Sequence, residues 1–583
     1  MKSLFSRHLV GLIGLITLAL LVGACGQAAA PAPAPAAPAA KATDAPKAAA
    51  ATAPAGPTAA AAAAPAAKAT DAPKAAAAAA GTPQRGGVTV IAIDSDPETL
   101  NLGTTTSNTS GDVGAKILEG LVYLDPNMTP QGELATSWEI SPDAKTYTFT
   151  LRPNVTWHDG KPFTSADVKF TFDEILAKFH PRTQNLMKQR VESVEAPDPL
   201  KVIIKLKEPF APFLTQMTVF DAPILPKHLY EGTDILKNDY NLKPVGTGPF
   251  KFSEWARGSQ VKLVRNDKYW GEGKPYLDGV NFQVIPQGPN RSTSLETGET
   301  DFVLDFYLPK ADAKRLLANP NLQPKRGQGF PAIDFVTLNT QTPALSKPEV
   351  RQALAMAIDR KRLVDQAMGG IGRPGKGPWG DGFPWMLTDA ADFDKLYPRD
   401  VEKAKALLDK AGVTAGADGS RGKLRLVYDA ARPQFVSGGQ IIKENLKDIG
   451  FDVELQPLER AVMIDKVFAN RDYDLTLQSF VSSGDPAIGY HRLYLTNATK
   501  TQFLNASGWG SEQVDGLLNK AAVTPDRDAR GKLYQEAAVT LAQQLPSIVL
   551  FDEEGMDIAT KKLNNLWTVR DSRDGWENAW LSK

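Results

Sequence analysis

The chain has 583 residues with 66 basic and 66 acidic side chains, so its formal net charge is zero, and 42% of it is hydrophobic. Balanced charge argues against a nucleic-acid partner, and this length predicts several lobes rather than one compact core. The single cysteine, Cys25, leaves the rest of the chain without disulfides or a thiol nucleophile.

In chain order, Lys2 and Arg7 precede a mostly apolar run over residues 9–22. At about 1.5 Å per residue this run spans roughly 21 Å, too short for a bilayer core of roughly 30 Å. It reads as a cleaved secretory signal over residues 1–24. Leu21-Val22-Gly23-Ala24-Cys25 resembles the lipobox of bacterial lipoproteins, in which the thiol receives a lipid and becomes the mature N-terminus. Cys25 is therefore the expected lipidation site, and the mature protein is expected outside the cytoplasm, anchored to a membrane. A signal peptide that merely contains a cysteine is the other reading. Residues 26–83 are mainly Ala and Pro, without Leu, Ile, Val or an aromatic. Such a segment cannot bury enough apolar surface to order itself. A disordered tether over 25–83 follows, reaching roughly 40 Å.

The body begins with a strand over 86–94. A second strand over 146–152 alternates Tyr147, Phe149 and Leu151 with threonines. Thr164 and Asp167 predict a helix start that buries Val168, Phe172, Ile175 and Leu176. Ser346 and Glu349 form a second capping-box pattern, with Val350, Leu354, Ala357 and Ile358 on one face and Gly369-Gly370 as the stop. Strands over 423–428, 451–455 and 473–480 alternate with helices over 439–449 and 461–469. That order predicts parallel strands with right-handed crossovers. Ligands in open α/β sheets bind beyond the carboxyl ends of the strands. Two loops emerge there, 429–433 with Arg432 and 481–486 with Ser482, Ser483, Gly484 and Asp485; ordinary surface turns are the competing reading.

Several chemistries find no support. The five histidines have no metal-ligand spacing. There is no nucleophile elbow and no phosphate-cradling loop. Gly370-Ile371-Gly372-Arg373-Pro374-Gly375 has a dinucleotide spacing, but it follows a helix and carries Pro374 where a helix should start. Trp157-His158-Asp159-Gly160 reads as a structural turn. Neither a cofactor, a metal nor an enzymatic role is expected.

The stretch 133–143, continuing through 147–152, 157–160 and 163–168, resembles the family 5 extracellular solute-binding proteins, the peptide- and nickel-type receptors of ABC importers. Further matches are Ile117-Leu118-Glu119-Gly120-Leu121, residues 244–250, Asn266-Asp267-Lys268-Tyr269-Trp270 and residues 350–360. The resemblance implies an α/β fold of three lobes, like the large peptide-receptor class of type II periplasmic binding proteins. Lobe I would comprise 84–125, 244–342 and 546–583, lobe II 126–243, and lobe III 343–545, with a ligand cleft between lobes I and III. It also implies a monomeric receptor that delivers a peptide or peptide-like solute to the importer's permease and ATPase subunits. Arg432-Pro433 matches the pair whose arginine takes a peptide carboxylate in the family's dipeptide receptors. Those receptors hold the peptide amine with an aspartate two residues before Gly-Asp-Pro. Here Gly484-Asp485-Pro486 is present, but that position is Ser482. Asp485 is the candidate replacement. Trp379 and Trp385 are candidates to line the cleft, with core packing as the alternative. Metal chelates and oligosaccharides are the alternative ligands, with His491 the only histidine near the loop. A lipid-anchored hydrolase and a sensor subunit are the alternative functions.

Overall fold

The computed structural model describes residues 82–582; the expected signal segment, Cys25 and the tether up to residue 81 lie outside the described residues. Among the described residues, eleven strands form one mixed sheet. Its main strands, numbered along the chain, are β1 (Val88–Ile93), β2 (Phe250–Ala256), β3 (Gln260–Arg265), β4 (Gly279–Val284), β5 (Phe302–Val303), β6 (Leu322–Leu338), β7 (Gly422–Asp429), β8 (Phe451–Leu458), β9 (Leu475–Val481) and β10 (Ser547–Thr560). Their spatial order is β8-β7-β9-β6-β10-β5-β1-β4-β3-β2, and Arg373–Pro374 adds a short rung on β10.

Two strands tie the halves of this sheet together. β6 and β10 run antiparallel from Leu322 opposite Thr560 to Thr337 opposite Ser547. Their register slips between Arg326 and Ala332, where they pass from one half to the other. One end packs on a core that includes Ile91, Phe282, Leu322 and Ile558. The other packs on a core that includes Phe335, Leu354, Leu426 and Val549. A pair of strands shared by two separately packed bodies can flex at its slipped register without opening either core. A four-stranded sheet (Ala135–Ile140, Thr146–Leu151, Lys201–Leu206 and Val191–Asp198) builds a third packed region around Phe149, Trp157 and Ile204.

The alternating unit at 422–481 forms as its sequence predicts: β7 pairs parallel with both β8 and β9. The helix between β7 and β8 begins earlier than its apolar spacing suggests, at Pro433, because proline suits the first helical turn and Arg432 takes the N-cap position. The box at Thr164 and Asp167 closes, with the Thr164 N–H donating to the Asp167 carboxylate at 2.9 Å. The box at Ser346 does not. Lys347 is the N-cap, and the Ser346 hydroxyl donates to the Pro343 carbonyl. The expected run to Gly369 is two helices, Pro348–Ala357 and Arg360–Ala367, because the Asp359 carboxylate caps a new start by accepting from the Arg362 N–H. His158, at the structural turn, accepts from the Gly246 N–H and donates to the Gly248 carbonyl, pinning the loop before β2.

Candidate functional site

At the slipped register lies a cavity of about 450 Å³. Its walls include Phe330 and Pro331 on β6, Asp552 and Glu553 on β10, and Trp385 and Arg570. Arg373 is fully engaged, pairing with both oxygens of Asp381 at 2.6 and 2.7 Å and with Glu554 at 2.8 Å. Burial, and then the Asp381 charge, push the Asp552 carboxyl up to about 8. Arg570 donates one Nη to the Pro126 carbonyl at 3.2 Å, while its buried Nε–H has no acceptor. Trp385 is half-buried, edge-on to Phe383 and Tyr534, with the exposed Arg527 guanidinium 5.5 Å from its ring.

The sequence-predicted residues divide. Arg432 is half-buried at the carboxyl end of β7, 5.4 Å from the Phe435 ring, and makes no hydrogen bond or ion pair among the described residues. It lines a space of about 50 Å³ shared with Asp429, Ser479 and Phe480. Asp429 shapes this loop by accepting from the Ala431 N–H at 3.0 Å and pairing with Arg460 at 3.3 Å. The Ser479 hydroxyl donates to Glu553 at 3.0 Å, so a residue lining the small space contacts one lining the larger cavity.

The loop after β9 lines neither space. Ser482 is fully buried, its N–H donating to the Pro331 carbonyl and its hydroxyl without a partner. Ser483 and Gly484 take left-handed backbone angles, φ 53° and 85°. Asp485, the candidate replacement for the absent aspartate, faces Arg530 in this structure. Its carboxylate is 5% exposed and held bidentate by Arg530, while also capping the next helix through the Ala487 N–H. Three donors therefore converge on it, two from Arg530 and one from the Ala487 N–H. Trp379 is likewise a core residue, 1% exposed, donating to the Tyr534 carbonyl and edge-on to Tyr494 and Tyr534. The local sequence hides both fates, because Arg530 and Tyr534 lie far downstream on another helix, Arg527–Gln544. His491 is buried against the Tyr534 hydroxyl at 2.8 Å, and burial takes its pKa down to about 3.

Residues that sequence reading missed include Asp334, on β6 between Ile333 and Phe335, and the acidic run Asp552-Glu553-Glu554 on β10. Their signal was an acid inside an otherwise apolar strand, the pattern least compatible with simple core packing.

One mixed sheet whose two packed halves share β6 and β10, with a cavity at their slipped register, defines the α/β fold of the type II periplasmic binding proteins. The chain belongs to the bacterial extracellular solute-binding proteins, family 5, whose middle-region model matches residues 129–502. It is therefore a binding component that works outside the cytoplasm, and not an enzyme. It is 28% identical to the oligopeptide-binding protein AppA of Bacillus subtilis, over 81% of this chain and 87% of that protein. It is 29% identical to the glutathione-binding protein GsiB of Salmonella paratyphi A, over 84% of this chain and 94% of that protein. Among solved structures it is similar to the ABC transporter substrate binding protein CtaP from Listeria monocytogenes, with a TM-score of 0.73 and 26% identity, covering 86% of this chain and 100% of that one.

Proposed function

We propose that this receptor captures a peptide or peptide-like solute in the cavity at β6 and β10 and delivers it to the permease and ATPase subunits of an ABC importer. In this reading the protein is a monomer tethered through a lipid on Cys25. Lobe I spans 84–125, 244–342 and 546–583, lobe II 126–243, and lobe III 343–545, with ligand between lobes I and III. Solute would select the closed state by touching both lobes.

One observation carries the choice of ligand: Arg432 presents an unpaired guanidinium at the carboxyl edge of the parallel strands, next to a polar cavity. Guanidinium matches a carboxylate in two parallel hydrogen bonds, so an anionic end group is the expected contact. The names of the relatives support a peptide, since glutathione is a tripeptide and the other relative takes oligopeptides. A cavity of about 450 Å³ suits a short peptide-sized solute. Trp385 offers the cavity an aromatic face, and Ser482, Ser483 and Gly484 would act from behind its wall, Gly484 against Phe330.

The test is Arg432→Ala with the solute that co-purifies with the protein, identified by native mass spectrometry and titrated by calorimetry. Affinity falls at least a hundredfold, about 2.7 kcal/mol. An unchanged affinity refutes the carboxylate contact.

A further inference from the structure

Asp334 sits within an apolar run of β6 and is 1% exposed, yet neither of its carboxylate oxygens accepts a hydrogen bond among the described residues. A carboxylate buried without donors is among the costliest groups a fold can hold, so its retention calls for an explanation. Cross-strand register puts Ser479 opposite Asp334 and Glu553 opposite Ala332, two residues away on β6. Side chains alternate along strands, so Asp334, Ser479 and Glu553 share one face of the sheet. Ser479 donates its hydroxyl to Glu553 at 3.0 Å, and both side chains lie against the Asp334 carboxyl. Glu553 lines the large cavity and Ser479 the small one at Arg432, and Asp334 shares a sheet face with both, buried beneath them.

We propose that Asp334 and Glu553 receive the cationic nitrogen of the solute, an ammonium or guanidinium. The proposal rests on the reading of this cleft as the solute site. A cation supplies the donors that Asp334 lacks and offsets the repulsion between two adjacent acids. Burial, then the charge of Glu553, hold the Asp334 carboxyl well above the ordinary range, and Arg432 acts in the opposite direction. A cation placed between the two acids would favour the charged form of Asp334, opposing the effect of burial. A zwitterion answers both features of the cleft: its carboxylate engages Arg432, and its ammonium takes over the neutralisation of the acids. The carboxylate expected at position 482 is then supplied from the hinge strands, Asp334 from β6 and Glu553 from β10.

The experiment uses the full chain, freed of solute by exhaustive dialysis, with two probes in native mass spectrometry. One is an equimolar pool of free-amine di- to pentapeptides, the other the same pool after N-acetylation. Wild type retains free-amine peptides at least tenfold over acetylated ones. Asp334→Asn and Glu553→Gln each remove that preference while leaving retention of the acetylated pool within twofold. If Asp334→Asn fails to fold, Glu553→Gln, at a half-buried position, decides. A preference that survives in the folded variants overturns the proposal, as does equal retention of both pools by wild type. If wild type retains neither pool, the peptide reading fails, and the co-purifying solute becomes the probe. The cation site then stands only if that solute carries a basic nitrogen and Asp334→Asn weakens it at least tenfold. Tight retention of calcium or zinc alone, lost in Asp334→Asn, assigns the pair to a metal and also overturns the proposal.

Discussion

Two arginine–carboxylate groups lie close to the end of β9, and they are built in opposite ways. Inside the lobe, Asp485 and Arg530 fill each other, with Arg530 donating further to the Ala521 carbonyl and the Tyr534 hydroxyl. Beside the two spaces, Asp334, Glu553 and Arg432 are neighbours in which no well-aligned hydrogen bond reaches the Asp334 oxygens and Arg432 has no acceptor among the described residues. The residue types are the same, so type does not separate scaffold from site. What separates them is whether the hydrogen-bonding capacity is already spent. A filled pair fixes a loop; an unfilled set has capacity left for a solute.

The largest effect should come from breaking the filled pair. Arg530→Ala leaves Asp485 buried with its charge uncompensated, a loss of about 3–5 kcal/mol. Urea denaturation measures it as a lower midpoint. A loss below about 1 kcal/mol would mean that Asp485 is not committed to Arg530, and the contrast with Asp334 would collapse.

Asp552, next to Glu553 on β10, falls between the two cases: one oxygen accepts from the Asp381 N–H at 2.9 Å and the other has no partner. Its carboxyl is raised to about 8 by burial, so the folded state binds its proton more tightly than the unfolded chain does. The sign follows. Stability from this group is fully present below the ordinary carboxylate range and is lost as pH rises through about 8. Each pH unit inside that window costs about 1.4 kcal/mol at most, and relaxation of the site reduces the total to about 2–4 kcal/mol. Asp552→Asn should be closer to wild type at pH 5 and more stable than wild type at pH 8, read from urea midpoints at both values. Parallel pH profiles for the two proteins would show that Asp552 does not titrate in this window.

The same distinction sets what the sequence reveals. The parallel unit at 422–481 was legible because β7, β8, β9 and their helices are local patterns, and so was the position of Arg432 at the end of a strand. The role of Asp485 was not legible. Gly484-Asp485-Pro486 looks the same whether its carboxylate faces a ligand or an arginine, and the arginine comes from a distant helix. Trp379 and Trp385 were indistinguishable for the same reason, one enclosed by Tyr494 and Tyr534 and the other reaching the cavity. Asp334 went unremarked because strand patterning attends to the apolar residues around it. Lys347 displaced Ser346 as a cap because the Ser346 hydroxyl found the Pro343 carbonyl first.

The smallest effect concerns the loop that joins the two groups. Gly484 has φ 85°, a left-handed conformation that an L side chain adopts only with strain. A Cβ there would sit 3.1 Å from Phe330 Cε1 and 3.5 Å from Leu124 Cδ1, so the Phe330 ring must shift to admit it. Gly484→Ala should cost about 1–2 kcal/mol in stability, from the backbone angle more than from the contact. Phe330 also lines the cavity, so the displaced ring should weaken solute binding several-fold even at temperatures where the variant is fully folded. The Asp485–Arg530 pair anchors the loop beneath, so the substitution should leave that pair intact and transmit its strain toward the cleft. Calorimetry and a thermal melt on the same preparation separate the two effects. A destabilised variant with wild-type affinity would mean that the loop and the cleft are uncoupled, and that Ser482–Asp485 belongs wholly to the scaffold.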